Sequence, residues 1–228
     1  MNSVYSTDGQ YIHPSILNAD PPHLGEELGR ITSADSVHVD IMDNHFVPNL
    51  TFGPSMVEGI VEHGGLPVDA HLMIEDADTQ APVYAEAGAA SVTFHLEACR
   101  APVRLARELR RKNTAAGVAL RPATALEPLL DVIGEFDLLL LMTVEPGFGG
   151  QSFLETMLPK IRRARAAVSE ANLEVSIQVD GGVSRETIER CAEAGANVFV
   201  AGSAIYRAQD AAEEISLLRE LAARHGRR

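Results

Sequence analysis

Three stretches of alternating apolar and polar residues carry the groups of this chain that could do chemistry. In Val37-His38-Val39-Asp40-Ile41, the period of two of a β-strand puts His38 and Asp40 on one face and the apolar residues on the other. The stretch from Val68 to Met73 repeats the arrangement, with Val68, Ala70 and Leu72 on one parity and His71 on the other. In Val175-Ser176-Ile177-Gln178-Val179-Asp180, Asp180 is opposite in parity to three β-branched residues. If the apolar faces are covered by helices, His38, Asp40, His71 and Asp180 converge inside the sheet. Two carboxylates and two imidazoles buried together are costly unless they share a cation or are otherwise paired. A divalent metal meets that demand. Two nitrogens and two oxygens suit zinc, iron(II), manganese or cobalt, and the donor set does not choose among them. Singly, each residue has a plainer account, an interior histidine as hydrogen-bonded core and a strand-end aspartate as a helix cap; the four together favour the metal.

Small residues gather near the same strand ends. Glu145-Pro146-Gly147-Phe148-Gly149-Gly150-Gln151 permits close backbone approach to a ligand and suits a lid, although a plain turn uses the same residues. Gly181-Gly182 and Gly202-Ser203 add two further sites where barrels hold phosphate. Three such sites at neighbouring strand ends favour a phosphate grip. Met42, Met73 and Met142 extend the inward parity of their strands; core filling accounts for them, with an apolar collar around the site as the alternative.

These residues need a scaffold that brings strand ends together. Eight short apolar runs, at 11–17, 36–41, 68–73, 91–95, 116–120, 137–144, 174–180 and 197–201, alternate with amphipathic stretches at 22–31, 54–63, 79–87, 102–111, 126–133, 153–170, 184–194 and 211–225. Such alternation predicts βα units and a parallel sheet. Prolines stand near several helix starts, and Gly64, Gly88 and Gly195 follow helix ends. Eight units within 228 residues predict an α/β fold, a closed (β/α)8 TIM barrel, as one domain over residues 1–228 with an extension at 1–10 and a short basic tail at 226–228.

Composition excludes several classes. At 46% hydrophobic and 22% charged residues the chain can bury a full core. A net charge of −13 argues against a nucleic-acid-binding face, since phosphate-backbone binding needs clustered Lys and Arg. Cys99 and Cys191 fit no metal or disulfide framework and read as buried free thiols. The start of the chain lacks the apolar stretch of a signal peptide and no span is long enough to cross a membrane, so a cytoplasmic location is expected.

The motifs resemble the ribulose-phosphate 3-epimerase family from Pro14 to Tyr206: Pro14-Ser15-Ile16-Leu17, His38-Val39-Asp40-Ile41-Met42-Asp43, His45-Phe46-Val47-Pro48-Asn49, His71-Leu72-Met73, Met142 to Gln151, Val179-Asp180-Gly181-Gly182 and Gly202-Ser203-Ala204-Ile205. The resemblance implies a ribulose-phosphate-binding barrel of the pentose phosphate pathway that interconverts ribulose 5-phosphate and xylulose 5-phosphate at C3. It implies one divalent metal per chain held by His38, Asp40, His71 and Asp180, with Asp40 and Asp180 as acid and base across an enediolate stabilised by the metal. Ser15, His71 and Asp180 would contact the sugar, and Gly147, Phe148, Gly149, Gly150, Gly181, Gly182, Gly202 and Ser203 would surround the substrate and its phosphate. The expected partners are a small phosphorylated ketose and further copies of the chain, without nucleic acid or membrane. Asn44 stands where the family more often has Gly, and Arg121-Pro122-Ala123-Thr124 replaces the commoner Asn-Pro-Gly-Thr; neither departure touches the ligand set.

Three other functions suit such a barrel. A Schiff-base aldolase or lyase needs a lysine at the active end, and only Lys112 and Lys160 exist; a barrel decarboxylase needs a lysine in the motif that reads Asp40-Ile41-Met42-Asp43 here. A non-catalytic phosphosugar-binding barrel would be favoured by loss of a ligand, and none is lost. An epimerase of a six-carbon ketose phosphate such as allulose 6-phosphate keeps the same chemistry.

Overall fold

The computed structural model describes residues 9–224. The expected extension at 1–10 therefore lies outside the described residues except for 9 and 10, as do the 226–228 tail and the His225 end of the last expected helix. Eight parallel strands form one sheet: β1 (Tyr11–Pro14), β2 (Val37–Met42), β3 (Val68–Met73), β4 (Ser91–His95), β5 (Ala115–Leu120), β6 (Leu138–Met142), β7 (Ser176–Asp180) and β8 (Val198–Ala201). From β2 to β8 each strand pairs with the next in sequence, and β8 pairs with β1.

The remaining seam, between β1 and β2, is closed by a bridge from Ser15 to His38 and by one side chain. The Asp35 amide donates to the Ile12 carbonyl at 3.2 Å, while its carboxylate accepts from the Ile12 amide at 2.7 Å. Arg219 holds that carboxylate at 2.9 Å. The result is a (β/α)8 TIM barrel, as the alternation predicts.

The helices are α1 (Leu24–Arg30), α2 (Pro54–His63), α3 (Ala77–Glu86), α4 (Pro102–Arg111), α5 (Glu127–Leu130), α6 (Leu158–Glu170), α7 (Ile188–Glu193), α8 (Ser203–Tyr206) and α9 (Ala211–Ala223). Pro54 and Pro102 open their helices, where the missing N–H costs nothing. Asp210 caps α9 by accepting from the Glu213 amide at 3.0 Å. Gly88 and Gly195 take left-handed φ values of 95° and 108° after α3 and α7. After α2 that task falls to Gly65 at 72° rather than to Gly64.

One parity of every strand builds the main core: Val37, Val39 and Ile41, then Ala70 and Leu72, Phe94, Val118, Leu139 and Leu141, Ile177 and Val179, and Phe199 face the helices. The other parity fills the barrel. Tyr11, Leu138 and Val198, all at strand beginnings, plug its floor. Above that plug the interior is polar, with His13, His38, Asp69, Ser91 and Gln178 buried.

Several boundaries differ from the sequence reading. β1 stops at Pro14 because Ile16 to Asn18 turn into a 3-10 helix whose Leu17 amide donates to Ser15 Oγ. β6 ends at Met142, after which Thr143 donates from its backbone and its hydroxyl to the Asp180 carbonyl. The expected helix at 126–133 breaks into α5 and a 3-10 turn (Ile133–Glu135). The 184–194 helix begins only at Ile188, since the Thr187 hydroxyl takes the Ser184 amide into a local turn. α8 has no counterpart among the expected helices.

Candidate active site

Asp40 on β2 lies opposite His71 on β3 in the ladder, and the twist of the barrel brings β7 across to them. His38, Asp40, His71 and Asp180 each offer one ligand atom, all within 4.8 Å of one another. His38 Nε2 is 3.3 Å from Asp40 Oδ1 and 3.9 Å from Asp180 Oδ2; His71 Nδ1 is 3.1 Å and 3.6 Å from the same oxygens. The first three are buried and Asp180 is nearly so, and Asp40 and Asp180 line a pocket at this end of the barrel.

The two carboxyls are driven apart. Burial opposes ionisation at both; at Asp40 the charges of His38 and His71 and the hydrogen bond from His71 overrule it and hold the carboxyl well below the usual range. At Asp180 burial and the Asp40 carboxylate push the pKa up to about 6. His38 shows the same field from the other side, because burial would lower its pKa while the Asp40 and Asp69 carboxylates raise it well above the ordinary histidine value. The spot calls for positive charge, and no Lys or Arg lines the pocket.

The residues fit a divalent ion on a further count. His38 Nε2 is buried without a hydrogen-bond partner, although it points at the other three donor atoms. The opposite nitrogen of that ring, Nδ1, is held at 2.9 Å by Asp69 Oδ2. A carboxylate on the outer nitrogen of an imidazole leaves the inner one free for a metal. Asp69 is itself a hub: Oδ2 also accepts from Gln178 Nε2 at 2.7 Å and meets His13 Nδ1 at 2.9 Å, and Oδ1 accepts from Ser91 Oγ at 2.7 Å. Burial would raise its pKa, but His38, His13 and their hydrogen bonds hold it well below the ordinary value.

Around His71 the outer contact is another imidazole. His71 Nε2 is 3.0 Å from His95 Nε2, and His95 Nδ1 is 3.1 Å from Glu97 Oε2. Burial lowers the His95 pKa to about 4, so the ring is neutral. Burial would raise the Glu97 carboxyl, yet hydrogen bonds from His95, the Thr124 hydroxyl and the Arg121 amide bring it down to about 2.

The structure places the other expected residues on the same pocket. Ser15 Oγ donates to Asp40 Oδ2 at 2.6 Å. Gly147, Phe148, Gly149 and Gly150 cover one side, Gly181, Gly182, Gly202 and Ser203 the other, and Met42, Met73 and Met142 line the wall between. Phe148 is 55% exposed above the opening. Gln151 Nε2 closes the loop beneath it by donating to the carbonyls of Glu145 and Phe148, and Asn49 Nδ2 fastens it to the β2 side through the Gly147 carbonyl. The close approaches that the glycines permit are made in part by protein atoms rather than by a ligand. A Cβ at Gly202 or Gly149 would collide with the Asn18 amide, one at Gly181 with Val144, and one at Gly182 with the Phe153 backbone. Asn44 stands at φ 59°, a left-handed conformation that Gly and Asn share, which explains its place in a position that resembles Gly. Cys191 is buried as expected, whereas Cys99 is only partly so.

The sequence reading missed Asp69, His13, Gln178, His95, Glu97 and Asn18. Parity carried a signal for four of them: His13 shares the inward face of Tyr11, Asp69 that of His71 and Gln178 that of Asp180, and His95 ends β4 on its inward side. Asn18 and Glu97 sit in 3-10 turns, where no period marks an inward residue. Lys160, rejected above as a Schiff-base residue, lies near the active end but gives its ammonium to the carbonyls of Pro122 and Thr124, both at 2.7 Å. Among the described residues, no helix is long and apolar enough to cross a membrane.

A family model described as the ribulose-phosphate 3 epimerase family matches residues 11–206. The ribulose-phosphate 3-epimerase of Mycobacterium tuberculosis (strain ATCC 25618 / H37Rv) is 49% identical over 217 residues, 95% of this chain and 95% of that protein. The protein of that name from Bacillus subtilis (strain 168) is 44% identical over 211 residues, 91% of this chain and 97% of that one. Among solved structures, 3-hexulose-6-phosphate synthase from Salmonella typhimurium superposes with a TM-score of 0.67 at 18% identity, covering 94% of this chain and 99% of that one. Orotidine 5'-phosphate decarboxylase from Pyrococcus horikoshii OT3 gives 0.65 at 16% identity, covering 92% and 98%. These two show likeness of fold.

Proposed function

The chain belongs to the ribulose-phosphate 3-epimerase family and is an epimerase, and from that premise we propose that it inverts C3 of a ketopentose phosphate, interconverting ribulose 5-phosphate and xylulose 5-phosphate. The observation that carries the proposal is the split pair: two buried carboxyls beside one pocket, one held ionised and the other pushed toward its protonated form. Inversion beside a ketone needs a base on one face of the carbon and an acid on the other. Asp40 on β2 and Asp180 on β7 are assigned those tasks, and reversal of the reaction exchanges them. Their protonation is coupled, so the two act as a dyad.

His38, Asp40, His71 and Asp180 would hold one divalent ion, zinc, iron(II), manganese or cobalt. When bound, the ion supplies Lewis-acid stabilisation of the negative charge that develops as the C3 proton leaves. Ser15 positions Asp40 and, with His71, contacts the sugar. Gly147, Phe148, Gly149 and Gly150 cover the substrate and exclude water.

The phosphate falls to the N–H groups of Gly181, Gly182 and Gly202 and to Ser203. Support comes from the pocket wall, which holds these residues and no Lys or Arg, so that an anion there would rely on backbone donors. The same proposal treats the chain as one barrel domain, cytoplasmic and homo-oligomeric.

Metal-stripped protein tests the reading. Epimerisation of ribulose 5-phosphate should vanish on stripping and return when one equivalent of a divalent ion is restored, with allulose 6-phosphate a poorer substrate. Full activity in rigorously metal-free protein overturns the metal assignment, and preference for the six-carbon sugar overturns the substrate. Gly202→Val tests the phosphate grip: it displaces Asn18 and blocks the backbone, so KM for ribulose 5-phosphate should rise by roughly tenfold or more while metal content stays unchanged, as befits lost binding energy remote from the reacting carbon. An unchanged KM would place the phosphate elsewhere.

A further inference from the structure

Both candidate histidine ligands must present a nitrogen that carries no proton, and in a neutral imidazole the proton then sits on the other nitrogen. At His38 one contact decides the matter, since Asp69 Oδ2 lies 2.9 Å from Nδ1 and can only accept. At His71 the outer nitrogen meets no carboxylate. It lies 3.0 Å from His95 Nε2, and two imidazole nitrogens at that distance can share only one proton, so one donates and the other accepts.

Which of them donates is decided one contact farther out. His95 Nδ1 is 3.1 Å from Glu97 Oε2, and an ionised carboxylate accepts. His95 therefore carries its proton on Nδ1 and offers a bare Nε2. With an ion bound, His71 in turn carries its proton on Nε2 and presents a bare Nδ1 beside Asp40 and Asp180; without one, that nitrogen meets Asp40 Oδ1 at 3.1 Å.

The far end of this chain is anchored in the loop after β5. Glu97 Oε1 accepts from the Arg121 amide at 2.8 Å and from the Thr124 hydroxyl. Lys160, on α6, fastens that loop through its carbonyls. The Arg121 guanidinium donates to the Phe46 carbonyl at 2.6 Å and lies 4.0 Å above the Phe46 ring, which packs 4.8 Å from His95. Every element that could let the His95 ring turn is thus tied down.

We propose that His95 and Glu97 are positioning residues of the metal centre, a two-step relay that holds His71 in the tautomer whose Nδ1 is free to ligate. The inference rests on the metal reading above. It gives His71 the carboxylate that Asp69 gives His38, delivered through one intervening ring.

Glu97→Gln keeps the size of the side chain and inverts the wiring. The Arg121 amide can only donate, so the new carbonyl oxygen stays on its side and the new NH2 faces His95 Nδ1. His95 then shifts its proton to Nε2, and His71 is pressed to carry one on Nδ1, the ligand atom. Zinc affinity of the stripped full-length protein, measured by competition with a chromophoric chelator, should fall about 10–100-fold, the range for loss of an outer partner of a metal ligand. Long-range ¹H–¹⁵N correlation should show His95 protonated at Nδ1 in the zinc-loaded wild type and at Nε2 in the metal-free variant. Adding His95→Gln to Glu97→Gln supplies an amide oxygen that accepts from His71 whatever stands at position 97, and should restore most of the lost affinity.

Wild-type zinc affinity in folded Glu97→Gln protein overturns the relay and leaves the metal reading standing. So does a zinc-loaded wild type with His95 protonated at Nε2, a result that needs no variant to fold. A wild-type protein that binds no zinc, iron(II), manganese or cobalt overturns the metal reading and the relay with it.

Discussion

Two aspartate hubs lie one above the other inside the barrel, built from the same residue types, and they are opposites electrostatically. The lower hub, Asp69, meets His13, His38, Gln178 and Ser91, and its carboxyl is held down by them. The upper hub joins Asp40 and Asp180 to the inner nitrogens of His38 and His71; it leaves His38 Nε2 without a hydrogen bond and pushes Asp180 up to about 6. Either cluster has the geometry to hold an ion, yet the lower one has already spent its acceptors on donors. A buried polar group that is satisfied adds rigidity, and one that is not marks the place where a ligand or a reaction completes the set. His38 belongs to both hubs and is the element through which the lower orients the upper.

Breaking the upper hub should show in turnover. Asp40→Asn and Asp180→Asn should each lower kcat by at least roughly 10²–10⁴, the range for a general acid or base, while circular dichroism reports an intact barrel. Near-normal activity in either purified variant would remove that residue from the dyad.

Breaking the lower hub should show in stability. Asp69→Asn replaces an acceptor with a donor among four donors, and a broken buried network of this kind costs about 3–5 kcal/mol, to be read as a fall in the denaturation midpoint. Equal loss of stability from Asp180→Asn in the metal-free protein would erase the distinction between the hubs.

The smallest effect concerns pH. The folded-state pKa of Asp180, about 6, lies above the ordinary aspartate value near 3.9. Its contribution to the metal-free protein is therefore fully present below about pH 4 and is lost as pH rises through about 6. Asp69 runs the other way, its contribution being present above pH 4 and lost as acid protonates it. Subtracting the stability profile of metal-free Asp180→Asn from that of the wild type should leave a decline between about pH 4 and 6. A flat difference would show that Asp180 is not under strain without its cation.

Much of the barrel and of the upper hub is legible in the sequence, because both follow from local geometry. The period of two is imposed by the chirality and pleat of a strand, so Val37-His38-Val39-Asp40-Ile41 sorts its own side chains into an apolar face and a chemical face wherever it is placed. The same period determines that His71 and Asp180 face inward, and the alternation of runs with amphipathic stretches determines eight βα units. What lies beyond parity was decided by tertiary structure. Which inward residue stands beside which depends on register across the ladder, as where His38 falls opposite Asp69 and Asp40 opposite His71. Side chains delivered from turns depend on how the loops converge, so the contact of Glu97 with Thr124, and that of Asn18 with Gly149 and Gly202, carry no period in the chain. Element ends belong with them, since β1 stops where the Ser15 hydroxyl captures an amide and α7 starts late because Thr187 does the same. Such competition between a side chain and the ladder is won or lost by distances of a few tenths of an ångström, which only the assembled barrel sets.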